Sequence, residues 1–207
     1  MAVLAFKPQH FAGAVEDLRA SLAPEALVIS ILVGVSTDAI ESALPGRRIV
    51  RIMPNTPMMV GAGMSGVAPG ASASASDVDV AVSIAEASGC VLRVGESQID
   101  DVAAISGSGP AYFFRFCEVL VDVAQRECGF SEETARLLVG QTARGALAYL
   151  DSQEGYPAGR LREEVTSPGG TTEAALGVLE ERGFRSMMGE AIQAARTRAK
   201  ELAAETG

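Results

Sequence analysis

The densest chemistry in the sequence lies in the run Val165-Thr166-Ser167-Pro168-Gly169-Gly170-Thr171-Thr172. The residues beyond it take up helical periodicity, so a helix is expected to start near Thr172. A Gly-Gly turn at a helix start aims several backbone N–H groups at one point. Two threonine hydroxyls add to them, which makes a site for a carboxylate. A plain helix cap needs one hydroxyl, not this whole string. A second run, Ser106-Gly107-Ser108-Gly109-Pro110, also leads into a helix. It can expose free N–H groups or simply let the helix pack closely on a neighbour, and close packing is the preferred reading. Three apolar runs end on unusual residues: Lys7-Pro8, Val33-Gly34 and Pro54-Asn55-Thr56-Pro57. Taken singly, each reads equally well as a proline or glycine that simply stops a strand. Together, at the carboxyl ends where parallel sheets bind ligands, they favour a ligand edge. It would offer a cationic head, a close backbone approach and a rigidly held amide.

These residues need elements to hold them. Val3–Phe6, Leu27–Val33, Ile49–Met53 and Cys90–Val94 read as strands, rich in Val, Ile and Leu without alternation. That pattern suits a parallel sheet covered on both faces. Ser76 is expected to cap an intervening helix with the apolar face Val78, Ala81, Val82 and Ala85, and Gly89 to end it. Residues 68–76 read as an exposed loop. After about Gln98 only helical periodicity remains. Tyr112–Arg126 is apolar over most of its circumference, which predicts burial on two sides. Ser131 is expected to cap the next helix, which is rich in Gly and Ala. The last helix repeats Phe184, Met187, Met188, Ala191, Ile192, Ala195, Ala199 and Leu202, with its methionines read as core. The expected fold class is therefore α/β over 1–98, then all-α over 99–207. The surplus apolar helix surface points to a subunit interface.

Composition excludes other classes. Of 207 residues, 48% are hydrophobic and 21% charged, so a core can form and disorder is not expected. The net charge of −9 argues against nucleic acid as a partner. Cys90, Cys117 and Cys128 form no metal-binding or disulfide pattern and read as buried free thiols of a reducing, cytoplasmic compartment. With His10 the only histidine, no metal site and no Ser-His-Asp triad is expected. No apolar run approaches the ~20 residues of a membrane helix, and no signal peptide is read.

At AFKPQ (5–9), RIMPNTP (51–57), ISGSGPAY (105–112) and VTSPGGTTEAALGVLEERGFR (165–185), the sequence resembles the pyrroline-5-carboxylate reductase family. The resemblance covers essentially the whole chain, and the last segment is the most specific. It implies a Rossmann domain, here incomplete, over 1–98. A helical dimerisation and substrate-binding domain would follow over 99–207. It implies reduction of 1-pyrroline-5-carboxylate to L-proline with NADPH or NADH, in proline biosynthesis, by a homodimer or higher oligomer. Lys7, Pro8, Val33, Gly34, Pro54, Asn55 and Glu164 would contact the cofactor. Glu96, Val165, Ser167, Gly169, Gly170, Thr171 and Thr172 would line the substrate pocket, which in the family pairs one subunit with its partner. Thr172 is expected to hydrogen-bond the ring nitrogen, orienting it first, since a threonine hydroxyl is a poor general acid.

The resemblance also sets a difference. A complete member opens with a strand and a G-x-G-x-x-G turn that holds the pyrophosphate. Here Met1 leads at once into what looks like an inner strand and Lys7. A chain lacking that first unit is expected to bind the nucleotide weakly or not at all and to show no reductase activity alone. A non-catalytic, dimer-forming remnant is the alternative function. A β-hydroxyacid dehydrogenase of the same build would want a lysine in its helical domain, where only Lys200, in a polar terminal turn, is present.

Overall fold

The computed structural model describes residues 1–206, with the backbone alone for Glu205 and Thr206. It forms two compact units. One comprises residues 1–110 with the C-terminal stretch from Ala191, and the other Ala111–Glu190. Periodicity changes at 98/99, where strands give way to helices. The division by contact lies elsewhere, because residues 99–110 and the last helical turns gather with the sheet.

The first unit is built on five strands in the order β1 (Ala2–Leu4), β2 (Leu27–Ser30), β3 (Arg48–Met53), β4 (Gly63–Pro69) and β5 (Gly89–Arg93). Both faces are covered over the central strands β2 to β4, which explains the unbroken apolar runs of β2 and β3, whereas in the edge strands Val3 and Leu92 are 50% and 49% exposed. Leu27, Ile29, Val50, Ile52 and Val67 pack under α3 (Ala75–Glu86) through Val78, Ala81, Val82 and Ala85. Val28, Leu32 and Ile49 turn the other way, onto Phe11 of α1 (Phe11–Ser21) and Ile40 of α2 (Thr37–Ala43). A third cluster of Met53, Ala68 and Ile99 closes the carboxyl end beneath the short α4 (Ile99–Val102).

Several expectations are corrected. The sheet is not wholly parallel, because β3 and β4 run antiparallel. Residues 54–62 are too few for the crossover a parallel neighbour needs, which takes about a dozen or more. Strand β4 went unread because Gly63-Met64-Ser65-Gly66 has little β-propensity. The sheet needs those glycines: a Cβ on Gly66 would stand 2.9 Å from Val102 Cγ1, and one on Gly89 2.1 Å from the Gly63 carbonyl oxygen. Residues 68–76 are not one loop, since Ala68 and Pro69 close β4 and Ala75 already opens α3. The cap of α3 is Ser74, not Ser76. Its hydroxyl accepts from Asp77 N–H at 3.3 Å, and Asp77 answers at Ser74 N–H, 2.9 Å, in a reciprocal capping box. The helix stops at Ala87, and Gly89 begins β5. Cys90 and Cys128 are exposed and Cys117 half-buried, so the thiols are free but not core.

The second unit comprises most of α5 (Gly109–Arg126), α6 (Glu132–Ser152), α7 (Ala158–Glu164), α8 (Thr171–Glu181) and the start of α9 (Phe184–Thr206). Ser131 caps α6 as expected, accepting from Thr134 N–H. Within the chain, however, α5 is not buried on two sides. Phe113, Phe114 and Phe116 are 60%, 68% and 53% exposed, and Met187 of α9 is also exposed. Among the described residues of this unit, only Ala135 and Leu161 are buried hydrophobics. The apolar stripes therefore face outward, as surfaces built to meet another surface do. No described helix is long and apolar enough to cross a membrane.

Candidate active site

In the first unit, the carboxyl ends of the parallel strands β1, β2 and β3 form a ledge. Lys7 follows β1 in an extended conformation, as its place before Pro8 requires. Its ammonium is exposed and makes no ion pair among the described residues. Pro8 opens a single 3-10 turn and is half-buried. Strand β2 stops at Ser30, so Val33 and Gly34 lie in the turn beyond it, with Val33 exposed. Gly34 has φ +76° and is buried. The close approach it permits is taken by α9: a Cβ there would lie 2.9 Å from Leu202 Cβ and 3.1 Å from the Leu202 backbone.

After β3, Pro54 is half-buried and Asn55 acts as a brace. Its Oδ1 accepts from Met64 N–H at 2.9 Å, and its Nδ2 donates to the Ser106 carbonyl at 3.1 Å and hydroxyl at 3.3 Å. Ser106 lies in a π turn, Ala103–Gly107, of the kind often found at functional sites. The motifs 51–57 and 105–112 are thus tied together through one amide. That amide is spent inside the protein, so what Asn55 supplies to the ledge is shape.

Glu96 is likewise engaged. Its Oε1 accepts from Arg51 Nη1 at 2.5 Å and from Thr37 N–H at 3.2 Å. Arg51 is the residue that sequence reasoning passed over. Its side chain is 3% exposed, and Nη2 also reaches the Leu32 carbonyl at 3.4 Å. The pair therefore joins β3, the turn after β2, the start of α2 and the segment after β5. The signal was present: an arginine inside a strand buried on both faces must find a carboxylate.

In the second unit, the loop between α7 and α8 holds the other candidates. Glu164 ends α7 and is exposed, 3.3 Å from Arg160 of the same helix. Val165 is exposed beside it. Ser167-Pro168-Gly169-Gly170 makes a type II turn, with proline second, Gly169 third at φ +71°, and Gly170 N–H donating to the Ser167 carbonyl at 2.9 Å. Gly169 N–H donates to Glu173 Oε2 at 2.7 Å. Both glycine amides are thus occupied internally, which corrects the expectation of a free Gly-Gly donor set. The amides left without an intrahelical acceptor are those of Thr171, Thr172 and Glu173 in the first turn of α8. That helix starts at Thr171, and its cap is Gly170, which has no side chain to spend. Neither threonine hydroxyl has a hydrogen-bond partner among the described residues; Thr171 is exposed and Thr172 half-buried. Free first-turn amides flanked by two free hydroxyls suit an anion that also carries a hydrogen-bonding atom.

Comparison with known proteins shows similarity along nearly the whole chain. Residues 96–202 match the family described as pyrroline-5-carboxylate reductase dimerisation. The pyrroline-5-carboxylate reductase of Pseudomonas aeruginosa is 42% identical over 207 residues, covering 99% of this chain and 75% of its own. Among solved structures, the pyrroline-5-carboxylate reductase of Coxiella burnetii superposes with TM-score 0.86 at 44% identity, over 97% of this chain and 74% of its own. The Plasmodium falciparum pyrroline carboxylate reductase, solved with NADP bound, gives TM-score 0.89 at 31% identity over 97% of this chain and 80% of its own.

Proposed function

Because the chain belongs to the pyrroline-5-carboxylate reductase family, we propose that it is an oxidoreductase converting 1-pyrroline-5-carboxylate to L-proline, the last step of proline biosynthesis, with NADPH or NADH supplying hydride to the C=N carbon and the ring nitrogen carrying a proton taken up from solvent. The observation that carries this reading is the start of α8, with its unspent amides and hydroxyls next to the type II turn. The amides of Thr171 to Glu173, with the Thr171 hydroxyl, take the substrate carboxylate, which also reaches the neighbouring Gly169 amide. The loop backbone at Val165, Ser167, Gly169 and Gly170 shapes the pocket floor. The Thr172 hydroxyl faces the ring nitrogen and orients the ring. Fixing a reacting bond within reach of its partner supplies much of a catalytic barrier reduction without any strong acid.

The ledge fits a nicotinamide dinucleotide in chemistry. Lys7 supplies a cation for an anionic ligand, and Val33 and Pro54 supply apolar faces. Pro8, Gly34 and Asn55 hold the backbone that presents them. Glu96 serves through Arg51, bracing the ledge rather than meeting the substrate. The outward apolar helices of the second unit support a homodimer. The free cysteines suit a reducing compartment such as the cytoplasm.

The test is NADPH or NADH oxidation by the full-length protein with pyrroline-5-carboxylate. Thr172→Ala should lower turnover at least about tenfold, near 1.4 kcal/mol of barrier, with Thr172→Ser retaining more. No oxidation by the wild type refutes the function, and wild-type rates in a folded alanine variant refute the role of Thr172.

A further inference from the structure

Glu173 stands third in α8 and reaches back past the cap to Gly169 N–H, 2.7 Å away. A glutamate in this helical position commonly caps the helix by bonding the amide of the cap residue itself. Here the carboxylate passes Gly170 and stops on the turn residue before it. It therefore places a negative charge on an amide of the very loop proposed to receive a carboxylate. The same side chain lines a groove of this unit with Arg162, Glu163, Thr166, Glu180 and Arg185. Arg162 is held there only loosely, 3.5 Å from Glu163. The groove that Glu173 lines thus also holds the guanidinium-bearing residues Arg162 and Arg185.

We infer that Glu173 is an internal competitor for the substrate carboxylate, occupying the Gly169 amide in the free protein and yielding it when the substrate binds. The inference rests on the proposed function and concerns affinity. Substrate must displace a charge-assisted hydrogen bond, and while Glu173 stays nearby it also repels an incoming anion. A plain capping role predicts the opposite sign, because removing a cap loosens the loop and weakens whatever binds it.

The experiment titrates the full-length protein, and its Glu173→Gln and Glu173→Ala variants, with L-proline by calorimetry while the Gly169 amide is followed by NMR. An exposed charge-assisted hydrogen bond is only modestly stabilising because water competes for both partners, so the variants should bind proline about two- to fivefold more tightly. In the wild type, the Gly169 amide resonance should move on saturation to nearly the position it takes in the saturated variants. Equal or weaker binding by the folded variants overturns the inference, as does a wild-type Gly169 resonance that proline leaves in place. Circular dichroism checks the fold of each variant, and the glutamine variant, which keeps the shape, decides if the alanine variant unfolds. Failure of all three proteins to bind proline overturns the inference together with the carboxylate site. Oxidation of NADPH with pyrroline-5-carboxylate reads the proposed function separately.

Discussion

The Arg51–Glu96 pair should behave asymmetrically when either partner is removed. Glu96→Leu strands a guanidinium that is 3% exposed and keeps only the long bond to the Leu32 carbonyl. An arginine cannot shed its charge. Losing one partner of a buried pair costs about 3–5 kcal/mol, and this variant should fall in that range. Arg51→Met instead strands a carboxylate that is 27% exposed and still accepts from Thr37 N–H. The Thr37 amide and the partial exposure of the side chain offset part of the loss, although Oε2 is buried without a partner, so about 1–3 kcal/mol is expected once solvent screening is allowed for. The double variant removes both charges and leaves apolar side chains of similar size, which are often near neutral in such sites. It should lose clearly less than the two single losses added together, with a coupling of about 2–3 kcal/mol. The chain has no tryptophan, so urea unfolding would be followed by circular dichroism. Hydrogen exchange at Val50 and Ile52 of β3 gives a local reading of the first unit. Equal losses in the two single variants, with a double variant at their sum, would refute the claim that an unpaired buried charge is what matters here.

Gly34→Ala should cost about 2–4 kcal/mol, combining left-handed strain with overlap on Leu202. Gly46→Ala, at φ +79° but in open space, should cost only the strain, about 1–2 kcal/mol, and equal melting temperatures for the two would deny the contact with α9. The Ser74 hydroxyl, with help from the Arg48 guanidinium and against burial, holds the Asp77 carboxyl below its ordinary value. Its stabilisation is therefore present above about pH 4 and lost as pH falls through the lowered value. Asp77→Ala should cost about 1 kcal/mol at pH 7 and converge with the wild type in acid unfolding curves. Light scattering should find at least a dimer at micromolar concentration, and Phe113→Ser with Phe116→Ser should shift it toward monomer; a stable wild-type monomer would contradict the reading of the exposed helix faces.

How much of this was legible in the sequence differs from element to element. Strands β2 and β3 were readable because burial on both faces leaves no polar alternation to confuse, and the edge strands β1 and β5 by their Val and Leu content alone. The apolar face of α3 and the Ser131 cap were readable because helix period and cap chemistry are local. The string 165–172 stood out as a candidate ligand loop by composition alone. Its amides were misjudged, because whether Gly169 N–H is free depends on where the Glu173 carboxylate folds back.

Tertiary structure decided what depends on distant neighbours. Strand β4 exists because β3 and β5 flank it and because Gly63 and Gly66 let Gly89 and Val102 come close, not because its residues favour strands. Gly34 looked like a glycine kept for a ligand, yet the helix that fills its missing Cβ lies far along the chain. Asn55 looked like an amide held out for binding, and its bonds to Met64 and Ser106 turn it inward. Arg51 and Glu96 are far apart in sequence, and no local pattern pairs them. The sequence by itself determined the element types and the chemical character of the loop, since both follow from residue type and spacing over a few turns. Which polar atoms remain unspent for a ligand was decided only by folding, because hydrogen bonds are satisfied by whatever partner packing brings near.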